Sequence, residues 1–271
     1  MENEFSKLNK LYHYTSYDTA LKILESRSLR FGRQNEMNDF NEFEKQLFGK
    51  GNPDSNGLQF LEALTDEYYK YRQLSFSIDD GNGRLGFDLH QMWGLYADKA
   101  NGVCLVFDQD DILKRLAPDV YWDKNVYWDK ITYKYHIESF INSLSKNVNN
   151  ISDEIRHNIR DVFFVKRREW EHEQEFRILK RCSIASNEEY LNYGNALKYI
   201  IISSKYQDAD CVLHAKKVNE LMNKSKNVPI LIYGNGFFEY SLIDYCINSD
   251  VYTGKEDRIW TSNAGYMSDS E

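Results

Sequence analysis

Apolar and polar positions change period along the chain in a way that predicts alternating strands and helices. Residues 11–15 alternate as a strand. Ser16 or Asp18 then offers an N-cap to a helix whose apolar face is Ala20, Leu21, Ile23 and Leu24. A short apolar run at 29–31 leads into a polar loop over 34–41 and a breaker-rich connection over 49–57. The pattern predicts a helix over 58–73 and a strand over 74–78. The turn cluster Asp79-Asp80-Gly81-Asn82-Gly83 follows, and then a helix over 88–97. Asn101-Gly102 marks a reversal into 103–107, a continuous apolar run that suits a buried strand, followed by a short helix to Leu116.

Beyond it, 137–148 and 152–166 read as helices, with Asn147-Val148-Asn149-Asn150 the best internal boundary, though short for a linker. Strand character takes over at 176–179, 197–202 and 228–233, interrupted by a helical stretch over 212–222. Asn235-Gly236 can turn a hairpin into 237–243. Tyr121-Trp122-Asp123-Lys124 recurs six residues later as Tyr127-Trp128-Asp129-Lys130, a single local duplication rather than a repeat architecture. The expected fold is mixed α+β, one domain over 1–260 with a flexible polar tail over 261–271.

Composition narrows the function classes. With 34 Lys plus Arg against 42 Asp plus Glu, the net charge of -8 disfavours a globally basic nucleic-acid clamp and leaves room only for a local basic patch. No apolar run approaches the roughly 18 to 20 residues of a membrane-spanning helix. Cys104, Cys182, Cys211 and Cys246 show no metal spacing, and the first residues carry no signal-peptide pattern. A cytoplasmic protein with reduced thiols, no membrane association and no metal is the expectation. The 20 Tyr and 15 Phe suit either packed cores with satisfied polar tips or walls for a planar ligand.

Four features could carry chemistry. Glu169, Glu171, Glu173 and Glu175 fall at every second position, so an extended strand would place all four carboxylates on one face. Their repulsion would raise the pKa of at least one unless cations relieve it. Glu169 and Glu171 also read as a solvated edge with Arg167 and Arg177 as counter-charges, whereas Glu173 and Glu175 adjoin the apolar strand and are expected to face a cleft. His13 lies between Tyr12 and Tyr14, able to hydrogen-bond a ligand or to serve as an ordinary structural histidine. Ser75 and Ser77 share one strand face with Phe76 on the other. Trp93 and Tyr96, three apart on a helix, could wall a flat ligand or fill a core. There is no phosphate-binding loop, no zinc-binding histidine pair and no serine-nucleophile motif.

In combination, the runs Leu11-Tyr12-His13-Tyr14-Thr15-Ser16, Met37-Asn38-Asp39 with Glu42, Ser75-Phe76-Ser77, Met92-Trp93-Gly94-Leu95-Tyr96-Ala97, Gly102-Val103-Cys104 and Trp170-x-x-Glu173-x-Glu175-x-Arg177 resemble a bacterial family catalogued as a domain of unknown function. More distantly they resemble ADP-ribosyltransferases. That second resemblance implies a split mixed β-sheet core with flanking helices and NAD as co-substrate. His13, Tyr14, Thr15, Ser75, Ser77, Trp93 and Tyr96 would lie at the dinucleotide, with the two serines positioning the catalytic carboxylate. Glu175 would stabilise the oxocarbenium charge as nicotinamide departs, and Glu173 would orient or deprotonate the acceptor. The early His matches one branch of that superfamily, while Ser-x-Ser and Glu-x-Glu match the other. The implied acceptor is a protein or nucleic acid, the implied setting a toxin or antiphage effector with an antitoxin or regulatory partner. The alternatives are a non-catalytic nucleotide- or partner-binding module, an NAD glycohydrolase and a nuclease.

Overall fold

Ser16 stands where the period-two pattern stops. Its hydroxyl accepts the Thr19 amide at 3.3 Å and caps a helix at Tyr17–Ser26 that buries Ala20, Ile23 and Leu24. Arg27, with φ at 53°, ends that helix in the left-handed conformation. This computed structural model describes residues 8–37, 55–123, 125–136, 150–184, 188–203, 211–225, 228–235 and 240–244. The sequence-based helix over 137–148, the boundary at 147–150, the connection over 49–57, Asn38, Asp39, Glu42, Gly236 and the tail over 261–271 lie wholly or partly outside them.

The strands are β1 (Lys10–Thr15), β2 (Ser28–Arg30), β3 (Gly32–Arg33), β4 (Tyr71–Ser77), β5 (Val103–Asp108), β6 (Val126–Lys130), β7 (Thr132–Lys134), β8 (Val165–Arg167), β9 (Glu175–Arg181), β10 (Tyr190–Asn192), β11 (Leu197–Ser203), β12 (Ile230–Asn235) and β13 (Tyr240–Asp244). The helices are α1 (Tyr17–Ser26), α2 (Ser55–Tyr68), α3 (His90–Leu95), α4 (Gln109–Asp123), α5 (Ile151–His157), α6 (Ile159–Phe163) and α7 (Cys211–Ser225). The architecture is mixed α+β.

The chain gathers into two compact units, one within Met1–Ser28, Phe76–Arg115 and Asn192–Glu271, the other within Leu29–Ser75 and Leu116–Leu191. In the first, strands neighbour one another in the order β13-β12-β11-β5-β1. Only β11 and β12 run parallel among these pairs, so the sheet is mixed. Strand β5 lies between β1 and β11, and Val103 to Phe107 are all fully buried, which is why its sequence is apolar without alternation. Tyr12, Tyr14, Phe87, Trp93, Cys104, Val106, Ile201 and Tyr233 form the core on one side. Helix α1 packs on α7, with Tyr17 donating to the Lys217 carbonyl at 3.2 Å.

After α3 the backbone takes three consecutive left-handed residues, Asp98, Lys99 and Ala100, and the Gly102 amide then bonds the Ala97 carbonyl at 2.7 Å. Glycine is required at 102 by close approach. A Cβ there would stand 2.1 Å from the Thr15 carbonyl oxygen and 2.9 Å from the Ala97 backbone. Gly102→Ala is expected to lower stability by about 1–3 kcal/mol through overpacking against backbone that has nowhere to go. Urea unfolding measures it, and a change within experimental error would mean the turn relaxes.

In the second unit β3 pairs antiparallel with β4, β4 neighbours β9, and β9 pairs antiparallel with β6. Strands β7 and β8 form a separate parallel pair. Phe163 is stacked on Tyr68 at 4.9 Å and lies 4.6 Å from Tyr71, in a core with Phe60, Leu64, Ile155 and Leu179. The helix expected over 58–73 ends at Tyr68, and a strand begins at Tyr71. Pairing of β4 with β3 and β9 overrides a spacing that also fitted a helix. The helix expected over 152–166 divides at Asn158, whose side-chain amide donates to the Glu154 carbonyl at 2.9 Å, and β8 takes its end. Helix α4 runs past Leu116 to Asp123. The duplicated segment shows how context decides: Tyr121-Trp122-Asp123 ends α4, whereas Tyr127 to Lys130 belong to β6.

Candidate functional site

The acidic run does not form the extended strand that its every-second-position spacing suggests. Arg168–Glu173 is a 3-10 helix, Gln174 adopts a left-handed conformation with φ at 45°, and β9 begins only at Glu175. The four carboxylates are therefore not on one face. Glu169 and Glu171 have side chains 73% and 46% exposed and sit near Arg167 and Arg168, the solvated role. Glu173 and Glu175 turn inward, 4% and 3% exposed.

Two buried cations meet them. Lys166 Nζ lies 2.7 Å from Glu173 Oε2 and 2.8 Å from Glu175 Oε2. Arg177, two residues along β9 and so on the same face as Glu175, donates from Nε to Glu175 Oε1 at 2.8 Å and from Nη2 to Oε2 at 3.1 Å. Its Nη1 donates to the Phe163 carbonyl. Below, the Glu175 amide donates to the Tyr133 hydroxyl at 2.9 Å. Above, the Trp170 ring centroid is 5.5 Å from Lys166 Nζ, within cation–π range.

The electrostatics follow the exception to the like-charge expectation, in which cations relieve the repulsion. Burial pushes the Glu175 carboxyl up, but Arg177 and then Lys166 outweigh it and hold the group well below its ordinary range. Glu175 is thus a fixed anion in a water-poor site. Burial also pushes the Tyr133 phenol up, so it stays neutral beside the charges. A depressed folded-state pKa adds stability that is complete above the unfolded value of about 4.5 and is lost as pH falls toward the folded value. On acidification below about pH 4.5, wild-type protein is therefore expected to lose more unfolding free energy than Glu175→Gln. An equal or smaller loss for wild type in parallel acid titrations of the two would overturn this.

The nine residues singled out by sequence divide between the units. Ser75, Glu173 and Glu175 belong to one, and His13, Tyr14, Thr15, Ser77, Trp93 and Tyr96 to the other. Ser75 is half-buried and its hydroxyl accepts from Gln73 Nε2 at 3.2 Å, while the Ser77 hydroxyl is buried without a hydrogen-bond partner. The cations that hold Glu175 are Lys166 and Arg177. The sequence marked Arg177 as a counter-charge and as the end of the Trp170-x-x-Glu173-x-Glu175-x-Arg177 run, and passed over Lys166, because nothing local links it to the acids.

His13 is half-buried with its ring 5.7 Å from Phe76, and Thr15 is buried at the end of β1. Tyr14 and Trp93 are core residues. The Tyr14 hydroxyl donates to the Gly86 carbonyl at 2.6 Å and its ring meets Trp93 edge-on at 5.2 Å. Trp93 Nε1 donates to the Phe87 carbonyl at 2.8 Å, and the indole stacks on Tyr233 at 5.7 Å. Tyr96, at the end of α3, packs against the same core from its margin.

Among the described residues no group of three or more His, Cys, Asp or Glu is placed to hold a metal ion, and no helix is long and apolar enough to cross a membrane. No curated protein and no solved structure matches the chain. A family model described as a protein of unknown function (DUF2971) matches residues 92–178, the stretch that carries Trp93, Tyr96, Gly102 and the whole Lys166 to Arg177 cluster, and it is to that uncharacterised family that the chain is similar.

Proposed function

We propose that the protein is an NAD-dependent ADP-ribosyltransferase in which Glu175 is the catalytic carboxylate. One observation carries the reading: the first residue of β9 is a buried carboxylate, held ionised and fixed in direction by Lys166 and Arg177. A preorganised anion in a low-dielectric site stabilises developing positive charge without having to reorganise. In this reaction the bond between ribose C1′ and the nicotinamide nitrogen breaks, nicotinamide leaves with the electron pair, and cationic charge grows on the ribose. An acceptor nucleophile on a protein or nucleic acid attacks C1′ and gives up its proton. Glu173, the acid two residues earlier, is bound to Lys166 at 2.7 Å, which suits holding the site's geometry more than free proton transfer.

The test is nicotinamide release from NAD by purified protein, with and without lysate as a source of acceptors, and with Glu175→Gln as control. Release that disappears in the control supports NAD chemistry. Dependence on lysate identifies transfer, and free ADP-ribose without lysate identifies hydrolysis.

A second reading has its own observation. Both oxygens of Glu175 are already engaged by buried cations, the arrangement a structural ion-pair network also has. On that reading the protein is a binding module. Stoichiometric nucleotide binding without turnover by folded protein would favour it over transfer.

A further inference from the structure

A single buried ammonium touches both acids of the cluster. Lys166 Nζ contacts Glu173 Oε2 and Glu175 Oε2, and all three side chains are 8% exposed or less. Two carboxylates brought together away from water repel, and one of them takes up a proton unless a cation stands between them. The charged and titratable groups facing Glu175 come from four elements: Lys166 on β8, Glu173 on the 3-10 helix, Arg177 on β9 itself, and Tyr133 on β7. Arg177 engages Glu175 through two nitrogens, whereas Lys166 bridges Glu175 to Glu173. Trp170 covers the ammonium, which limits where it can stand.

We propose that Lys166 is the positioning residue of this acidic pair, holding Glu173 and Glu175 together on either side of its ammonium. Its consequence for catalysis rests on the ADP-ribosyltransferase reading of Glu175; the charge state it enforces does not. Without Lys166 the pair and Arg177 carry one uncompensated negative charge, and a proton from solvent settles on the carboxylates. A Glu175 that is protonated part of the time no longer offers a permanent anion.

The test compares the full-length wild type with Lys166→Met, which removes the charge, and Lys166→Arg, which keeps it. Carbon-13 labelling of glutamate side chains reports the ionisation of Glu175 directly, without substrate, from about pH 4 to about pH 8. Glu175 is expected to stay ionised throughout in the wild type, to titrate within that window in Lys166→Met, and to return to the wild-type behaviour in Lys166→Arg. The wild-type titration stands even if Lys166→Met does not fold: a Glu175 that takes up a proton inside the window in wild-type protein overturns the proposal. So does an unchanged titration in a folded Lys166→Met.

In the nicotinamide-release assay, Lys166→Met should gain an acid limb, losing about tenfold in rate per pH unit below its new midpoint, which Lys166→Arg abolishes. No release from wild-type protein at any pH would overturn the enzymatic reading, and the carbon-13 titration would still decide the role of Lys166.

Discussion

Arg177→Met is expected to destabilise the protein by about 3–5 kcal/mol, the usual consequence of breaking a buried ion pair from one side. Arg177 is 1% exposed, and its guanidinium serves Glu175 twice and the Phe163 carbonyl once. Methionine fills much of the volume but donates no hydrogen bond. Glu175 is then left with Lys166, which it shares with Glu173, and the Phe163 carbonyl loses a donor inside the core. Urea unfolding with an unchanged slope would measure the loss. The double variant Arg177→Met with Glu175→Gln should recover part of it, because the second change removes the stranded charge. A loss below about 1 kcal/mol for the single variant would show that water or a neighbouring cation compensates, and the cluster would not be the tightly held site its geometry implies.

The second large effect is on chemistry. Glu175→Gln should reduce nicotinamide release on the order of 10²- to 10³-fold, the range seen when one preorganised electrostatic group is removed from a transition state. Glutamine has nearly the shape of glutamate, so loss of charge rather than loss of packing dominates. Its amide nitrogen must nevertheless point at Lys166 or Arg177, where a donor meets a donor, and a stability loss of about 1–3 kcal/mol accompanies it. The rate therefore has to be read at a temperature where both proteins are fully folded. Undiminished release from folded Glu175→Gln would remove Glu175 from the reaction, and the cluster would then stand as a structural network.

The legibility of the cluster was uneven for a physical reason. The apolar run beside Glu173 and Glu175 suggested that they leave the solvated edge for a cleft, and the structure buries both, Glu173 at the end of the 3-10 helix and Glu175 at the start of β9. Their alternation with Glu169 and Glu171 suggested one shared face, and that inference failed. A 3-10 helix closed by a left-handed Gln174 uses a different period, which spacing alone does not distinguish from a strand. A rise in carboxylate pKa was expected only where no cation or donor relieved the repulsion, and the fold brings two cations to the two inward acids.

By itself the sequence determined what depends on near neighbours. Ser16 caps α1 because its hydroxyl reaches an amide three residues on, and β5 is buried because five consecutive apolar side chains leave it no polar face. Tertiary structure alone decided what depends on partners from other elements. The same Tyr-Trp-Asp segment ends a helix once and lies in a strand once, because pairing with β9 is open only to the second copy. Gly102 is fixed by the Thr15 carbonyl across the turn, and the charge of Glu175 is set by Lys166 and Arg177. Hydrogen bonding within a turn of chain can be read from order along the chain. The compensation of a buried charge cannot, because it depends on which distant side chains the packed core brings within hydrogen-bond reach.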